Sequence, residues 1–258
     1  MAAPDPRPNP FGEQLRQWRA LRRRSQLDLA IAAGVSARHV SFLETGRSTP
    51  SRAMVLRLAE VLDIPPRARN GLLAAAGFAP AYTERPLDAP DMAAVRAGVQ
   101  QVLDAYQPYP CIAVDRTWTI LSANPGAAVL LDGVDPVLLD PPNALRIALH
   151  PQGLAPRIRN LAQWRTHLLS RLRREAAAGG LSELAALADE LTSYPGGFDD
   201  GPDLGEVAVP LDLETPDGRR LKFLSTVTTF GTALDLTAAE LSIEAFLPAD
   251  EQTAAALG

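Results

Sequence analysis

The sequence predicts two folded domains of different class: an all-α five-helix domain, then an α+β domain built on a five-stranded antiparallel sheet. Three observations predict it. Five apolar segments at helical spacing, each with its own cap or breaker, follow one another within residues 11–78. After a proline-rich stretch at 79–90 the texture changes, and strand-like runs bracket a long helical region. The charge changes as well. Residues 1–85 hold 13 arginines against 7 acidic residues, a net of +6, whereas the remainder holds 12 basic against 23 acidic residues, a net of −11. The overall charge of −5 hides this division. A basic part joined to an acidic part suggests two tasks, and 258 residues suffice for two cores.

The elements follow in order. Residues 1–10 hold four prolines and are expected to form a disordered tail. Phe11, Leu15, Trp18 and Leu21 recur at helical spacing and give a first helix of about three turns. Ser25, with Asp28 three residues on, caps a second helix holding Leu27, Ala30 and Ile31, and Gly34 stops it. Ser36 caps a third helix that turns Val40 and Leu43 inward and ends at Gly46. Ser51 caps the fourth, and Pro65 and Pro66 begin the fifth, which Gly77 ends. Residues 79–90, "APAYTERPLDAP", read as a linker, and 91–258 as the second domain. That domain starts with a helix at 91–105. Strands follow at Cys111–Val114 and Trp118–Ser122, then helices after Pro125 and over about 142–191. Three strands complete it: Glu206–Glu214, Leu221–Phe230 and Leu241–Leu247, the first two joined by "TPDG".

Several classes of function find no support. No apolar run approaches the 18 or more residues of a membrane span, and "MAAPDPRPNPFG" has no apolar core of a secretion signal, so a cytoplasmic protein without a membrane partner is expected. Cys111 is the single cysteine, so no intrachain disulfide exists; His39, His150 and His167 are scattered and suggest no metal site. Neither G-x-G-x-x-G nor G-x-S-x-G occurs. Asp199, Asp200 and Asp203 lack the spacing of a calcium loop and read as a solvated acidic turn. No catalytic residue is assigned, and no cofactor beyond a small ligand is expected.

The second and third helices, joined at Gly34, have the spacing of a helix-turn-helix. Ala30 is small enough for close crossing, Gly34 permits the turn, and Val35, Val40 and Leu43 make the inner face. Ala37, Arg38, Ser41 and Phe42 then face outward on a helix sized for the major groove. Gln26 and Ser36 stand at helix starts, where amide groups hold phosphates. Arg22, Arg23 and Arg24 fit either a solvated face or phosphate contacts. The stretch "SQLDLAIAAGVSARHVSFLETGRSTPS" resembles the Cro/CI-type helix-turn-helix family, also called the xenobiotic-response-element family. The resemblance implies duplex DNA as partner. It makes Gln26 a phosphate-holding glutamine, sets Ala37, Arg38, Ser41 and Phe42 toward bases and Ser36 toward the backbone, and pairs Arg19 with Glu44 as a structural ion pair. Arg47, just beyond the third helix, joins the DNA-binding set. Arg23 and Arg24 depart from the family's usual Gly-Leu; the stem of Arg24 is expected to cover the resulting gap in the apolar pattern. Because one short recognition helix reads few bases, a homodimer is expected.

The rest of the chain resembles the ligand-binding domain of MmyB-like transcription regulators, a PAS-like fold. The matching segments are "YPCIAVDRTWTILSANPGAAVLL", "PPNALRIALHPQGLAPRIRN", "WRTHLLSRLRREAAAGG" and "LKFLSTVTTFGTALDLTAAELSIEAFLPAD". The resemblance implies a pocket for a small apolar molecule, with a fatty acid as one candidate. Ile112, Val114, Trp118, Ile120, Phe223, Val227, Phe230, Ile243 and Phe246 fit either a packed core or a cavity lining. Trp164 and His167, three apart on a helix, fit the border of such a pocket. Arg157 and Arg165 fit a ligand carboxylate or the nearby acids. The expectation is a DNA-binding regulator that senses a small apolar or amphipathic effector; the alternative is a sheet domain that dimerises or binds a protein without a small ligand.

Overall fold

A computed structural model describes residues 9–179, 181–199, 208–230 and 235–258. The chain divides into two units, Met1–Glu84 and Arg85–Gly258, so the division falls inside the proline-rich stretch at 79–90. In the first unit each helix begins where a side chain accepts an otherwise free backbone N–H or where a proline removes one. Asn9 accepts from Gly12 at the start of α1 (Pro10–Leu21), so residues 9 and 10, expected in the tail, belong to the helix start. Residues 1–8 lie outside the described residues. Ser25 and Asp28 form a reciprocal capping box on α2 (Gln26–Ala33). Ser36 caps α3 (Ala37–Glu44) and Ser51 caps α4 (Arg52–Val61). Pro66 is the first residue of α5 (Pro66–Ala75).

These helices bury Phe11, Leu15, Leu29, Ala33, Val40, Leu43, Leu58 and Leu72 in one core. Gly34 takes φ 63°, the left-handed turn between α2 and α3 that favours glycine. Gly12 has a different reason. A Cβ there would stand 2.6 Å from the carbonyl oxygen of Glu44 and 2.7 Å from that of Leu43, so α1 and α3 meet backbone to backbone. Leu27 and Ile31 depart from the expected pattern. They are 58% and 71% exposed, because Leu29, Ala30 and Ala33 take the inner face of α2. Arg24 is exposed as well and does not cover the core. At the end of the unit, Asn70 bonds the backbone of Ala81 and Tyr82, which fastens the start of the proline-rich stretch.

The second unit runs α6 (Ala93–Ala105), β1 (Cys111–Val114), β2 (Ile120–Ala123), α7 (Ala128–Leu131), α8 (Ala144–Leu149), α9 (Leu161–Gly179), α10 (Ser182–Ser193), β3 (Leu211–Glu214), β4 (Arg220–Thr229), α11 (Leu236–Ala239), β5 (Ser242–Pro248) and α12 (Glu251–Leu257). The strands form one antiparallel sheet of order β2-β1-β5-β4-β3. Strand alternation assigns its two faces. Cys111, Ala113, Ile243 and Ala245 pack with Val99 and Leu103 of α6. Ile112, Val114, Leu221 and Phe223 join the main core with Trp164, Leu168 and Leu172 of α9 and Leu184 and Leu191 of α10.

Some boundaries differ from the sequence reading. Strand β2 starts at Ile120, because Trp118 sits in the preceding turn with φ 68°. Strand β3 starts at Leu211, after Pro210, which has no N–H to give a ladder. Glu206 and Val207, expected in that strand, and Asp200 and Asp203 of the acidic turn lie outside the described residues. Helix α12 was not anticipated; Asp250 caps it by accepting from Thr253.

Candidate functional site

Helix α3 has two unlike faces. Val40, Leu43 and Glu44 are buried, while Arg38 is exposed and Ala37, Ser41 and Phe42 are half-buried. The guanidinium carbons of Arg38 and Arg47 lie 5.0 and 5.9 Å from the centre of the Phe42 ring, within cation–π range. Phe42 therefore gathers two arginines on one side of the helix. The Ser36 hydroxyl accepts from His39 N–H at the helix start.

Behind this face lies a buried ionic cluster. Glu44, with a side chain 1% exposed, accepts from Arg19 Nε at 2.7 Å and Arg19 Nη2 at 3.1 Å. Gln26 Nε2 donates to the same carboxylate at 2.8 Å. Arg16, which the sequence reading did not single out, adds a bond from Nη2 to the Glu44 carbonyl and an Nε–carboxylate distance of 3.7 Å. It stands three residues before Arg19 on α1, the spacing that places two side chains on one helix face. Burial pushes the Glu44 carboxyl up, but hydrogen bonds from Arg19 and Gln26 and the charges of Arg19 and Arg16 outweigh it, leaving the group below the ordinary carboxylate range. Arg22 is committed to the fold, donating to the carbonyls of Leu62 and Asp63 beyond α4.

In the second unit an apolar cavity separates the sheet from α7, α8 and α9. The sheet supplies Ile112, Ile120, Leu211, Ser225, Glu244 and Phe246; the helices supply Leu130, Leu145, Ile147, Trp164, Leu168 and Arg171, among others. Trp164 is 3% exposed, and its indole N–H has no hydrogen-bond partner among the described residues. Two turns further along α9 stands Arg171. It forms a two-bond pair with Glu244 (2.6 and 3.2 Å) and donates from Nε to Glu175 at 2.9 Å. The Glu244 side chain is 4% exposed. Arg171 also lies 4.5 Å from the Trp118 ring centre, and Trp118 donates its indole N–H to Glu175 at 3.1 Å. A tryptophan at φ 68° is strained, and Asp115 holds the turn by accepting from Thr117 N–H and Thr119 N–H. Burial pushes the Glu244 carboxyl up; Arg171 pulls it down without cancelling that effect, and Glu175 adds to the rise.

Of the residues named from the sequence for a ligand, Ile112, Trp118, Ile120, Trp164 and Phe246 line this cavity. Phe223 is core, T-shaped against Phe246 at 6.4 Å. Val114 lines a neighbouring cleft, Val227 is exposed, and Phe230 packs with the α6 cluster on the other sheet face. His167 stacks on Trp164 at 5.7 Å but lines a separate depression; burial, then the charges of Arg171 and Arg174, push its pKa down. Arg165 is buried and donates to the carbonyls of Leu191, Thr192 and Gly197, so it ties α9 to the end of α10. The terminal nitrogens of Arg157 are buried with no hydrogen-bond partner among the described residues. Arg171, Glu175, Glu244 and Ser225 were not foreseen. Cys111 is fully buried, and burial pushes its thiol up to about 11, with the Glu244 charge adding to the rise. Among the described residues no group of three or more His, Cys, Asp or Glu side chains is placed to hold a metal, and no helix is long and apolar enough to cross a membrane.

A helix-turn-helix unit followed by a sheet-and-helix unit with an internal cavity defines a two-part transcription regulator. Residues 10–72 match a helix-turn-helix domain, and residues 95–258 match the MmyB-like transcription regulator ligand binding domain. The chain belongs to the MmyB-like transcription regulators. Two proteins of Bacillus subtilis (strain 168) are similar to it. The HTH-type transcriptional regulator RghRB is 37% identical over 100 residues, 38% of this chain and 66% of that protein. The HTH-type transcriptional repressor RghR is 44% identical over 69 residues, 26% of this chain and 49% of that protein. The chain thus spans between about half and two thirds of the length of these relatives. Among solved structures, the restriction-modification controller protein C.AhdI from Aeromonas hydrophila is 36% identical, covering 24% of this chain and 92% of that one, with a TM-score of 0.23.

Proposed function

We propose that the protein binds duplex DNA sequence-specifically through the outward face of α3, as a homodimer, and that a small apolar or amphipathic molecule in the second unit's cavity changes its operator affinity. A fatty acid is one candidate effector. The observation that carries the DNA reading is the split character of α3: its inner face is fully committed to the core, while Arg38, Ala37, Ser41 and Phe42 are left for the groove, with Arg47 alongside. Gln26 has an amide with two hydrogens, so it can serve Glu44 and a phosphate oxygen at once. Ser36 stands at the helix start beside the backbone path. Arg38→Ala should cost about 1–3 kcal/mol of operator discrimination, the worth of one good base contact. Mobility shifts against operator and random duplex, at fixed salt, measure this; equal affinity of the wild type for both duplexes sinks the reading. Footprinting should give paired half-sites roughly 34–36 Å apart, or a multiple of that.

A ligand shifts DNA affinity only if it binds the two DNA states differently. Native mass spectrometry of the purified chain, then mobility shifts with and without any retained compound, tests the coupling. The second reading, a dimerisation or protein-interaction module without a ligand, has in its favour the exposed Leu224 and Val227 on β4. It gains if no small molecule is retained or bound.

A further inference from the structure

Strand β4 outruns its neighbour on one side. Over Arg220–Phe223 it lies between β3 and β5, but the β3 ladder ends with Leu211 opposite Phe223, while the β5 ladder continues to Thr229 opposite Ser242. Residues 224–229, "LSTVTT", therefore form a sheet edge. All are exposed except Ser225, which is half-buried. The direction of their backbone groups follows from the bonds at the strand's start. The Lys222 carbonyl accepts from Ala249 N–H at 2.8 Å, on the β5 side. Alternation then turns the N–H and C=O of Leu224, Thr226 and Thr228 toward β5, and those of Ser225, Val227 and Thr229 away from it. Strand β5 has the matching phase: Phe246 N–H donates to Pro110 on the β1 side, which leaves Ile243, Ala245 and Leu247 for β4. The outward groups of Ser225, Val227 and Thr229 have no backbone partner among the described residues. Exposed edges are ordinarily guarded by charge, proline, a bulge or a cover, because an open row of donors and acceptors pairs with a strand that meets it. Residues 224–229 carry neither charge nor proline, and their register with β5 is regular. Four consecutive β-branched residues, Thr226 to Thr229, favour extended chain. Nothing within the edge itself guards it, which leaves a cover.

We propose that a second copy of the chain is the cover: the two β4 edges pair antiparallel about a two-fold axis at Val227 and join two five-stranded sheets into one. The backbone dictates the register. An antiparallel seam bonds only between residues whose groups point outward, and Ser225 and Thr229 are spaced evenly about Val227. The axis therefore sets Ser225 against the partner's Thr229 and Val227 against the partner's Val227, each pair exchanging both of its bonds, with Thr226 beside the partner's Thr228. A two-fold contact needs a self-complementary surface, and a symmetric, uncharged edge supplies one. A foreign peptide would meet the same backbone row, but recognition of that kind takes its specificity from side-chain pockets, and an edge of serine, threonine and valine offers it little to select. This rests on the homodimer reading above and places its interface in the second unit rather than on α3. It holds with the cavity full or empty.

Sedimentation equilibrium of the full chain without DNA, over a range of concentrations, tests this. The wild type should be a dimer. Val227→Lys sets two like charges against each other on the axis and should weaken association at least about tenfold. Val227→Pro removes an N–H that points away from β5, so the β4–β5 ladder survives, and it should weaken association as much. Both variants should keep the circular dichroism of the wild type. Amide exchange of the wild type gives a second readout that needs no variant. Ser225, Val227 and Thr229 should exchange slowly in the dimer and fast after dilution to monomer, while Thr226 and Thr228, bonded to β5, stay slow in both. If neither variant folds, this exchange pattern decides. Dimerisation untouched by a folded variant, or exchange at Ser225, Val227 and Thr229 that is alike in dimer and monomer, overturns the proposal and puts the interface elsewhere, with the homodimer reading standing. A wild type that is monomeric at every concentration also overturns it, and the half-sites seen in footprinting then judge the homodimer reading separately.

Discussion

Each unit buries one glutamate against an arginine from another element, and the two pairs end in opposite electrostatic states. Glu44 on α3 receives Arg19, Arg16 and Gln26, more donors than its charge requires, and its carboxyl stays below the ordinary range. Glu244 on β5 receives Arg171 alone, and Arg171 also serves Glu175. Its carboxyl is pushed up. The first cluster is saturated and works as a brace between α1, α2 and α3 beneath the outward face of α3. The second is short of positive charge and stands on a cavity wall. Burial by itself does not set the direction in which a carboxylate's pKa moves; the count of donors around it decides.

The largest effect should come from removing the saturated carboxylate. Glu44→Ala leaves Arg19 without the carboxylate it pairs with, and removing one member of a buried pair costs about 3–5 kcal/mol. Chemical denaturation followed through Trp18 measures it. A variant that melts like the wild type but prefers different bases would make Glu44 a reader and break the contrast. Glu244→Gln should cost less, within about 1.5 kcal/mol, since Arg171 keeps Glu175 and a neutral amide still accepts its hydrogen bond. Equal losses for Glu44→Gln and Glu244→Gln would show that the two clusters are alike after all.

The smallest and most diagnostic effect is on pH. A carboxyl lowered by folding, as at Glu44, lends stability that is complete above its unfolded pKa of about 4.3 and is lost as pH falls through the lower folded value. A carboxyl raised by folding, as at Glu244, favours the folded state most below the unfolded pKa, and that contribution disappears as pH rises through the higher folded value. The stability of the wild type minus that of Glu44→Gln should therefore grow with pH in the acid range. The same difference for Glu244→Gln should shrink. Slopes of one sign for both variants would refute the assignment.

What the sequence determined by itself is mostly local. Ser25 with Asp28, Ser36, Ser51 and Pro66 mark helix starts, and Gly34 marks the turn, because capping depends on atoms three or four residues apart. Strand alternation and the "TPDG" turn gave the antiparallel sheet for the same reason. Cap chemistry at Asp250 was legible too, and marks a helix the sequence reading passed over. The eight residues of α2 were ambiguous: six are apolar, so period alone did not say that Leu27 and Ile31 face out. The charged wall of the cavity was out of reach. Glu244 shares a strand face with Ser242 and Phe246 and alternates with the apolar Ile243 and Ala245 along β5, a pattern in which a lone glutamate reads as solvent-facing. Only tertiary packing lays α9 over that sheet face and brings Arg171, 73 residues earlier, within 2.6 Å. Charge pairing of that kind is a property of distance in space, and sequence spacing carries no information about it once the partners lie on different elements.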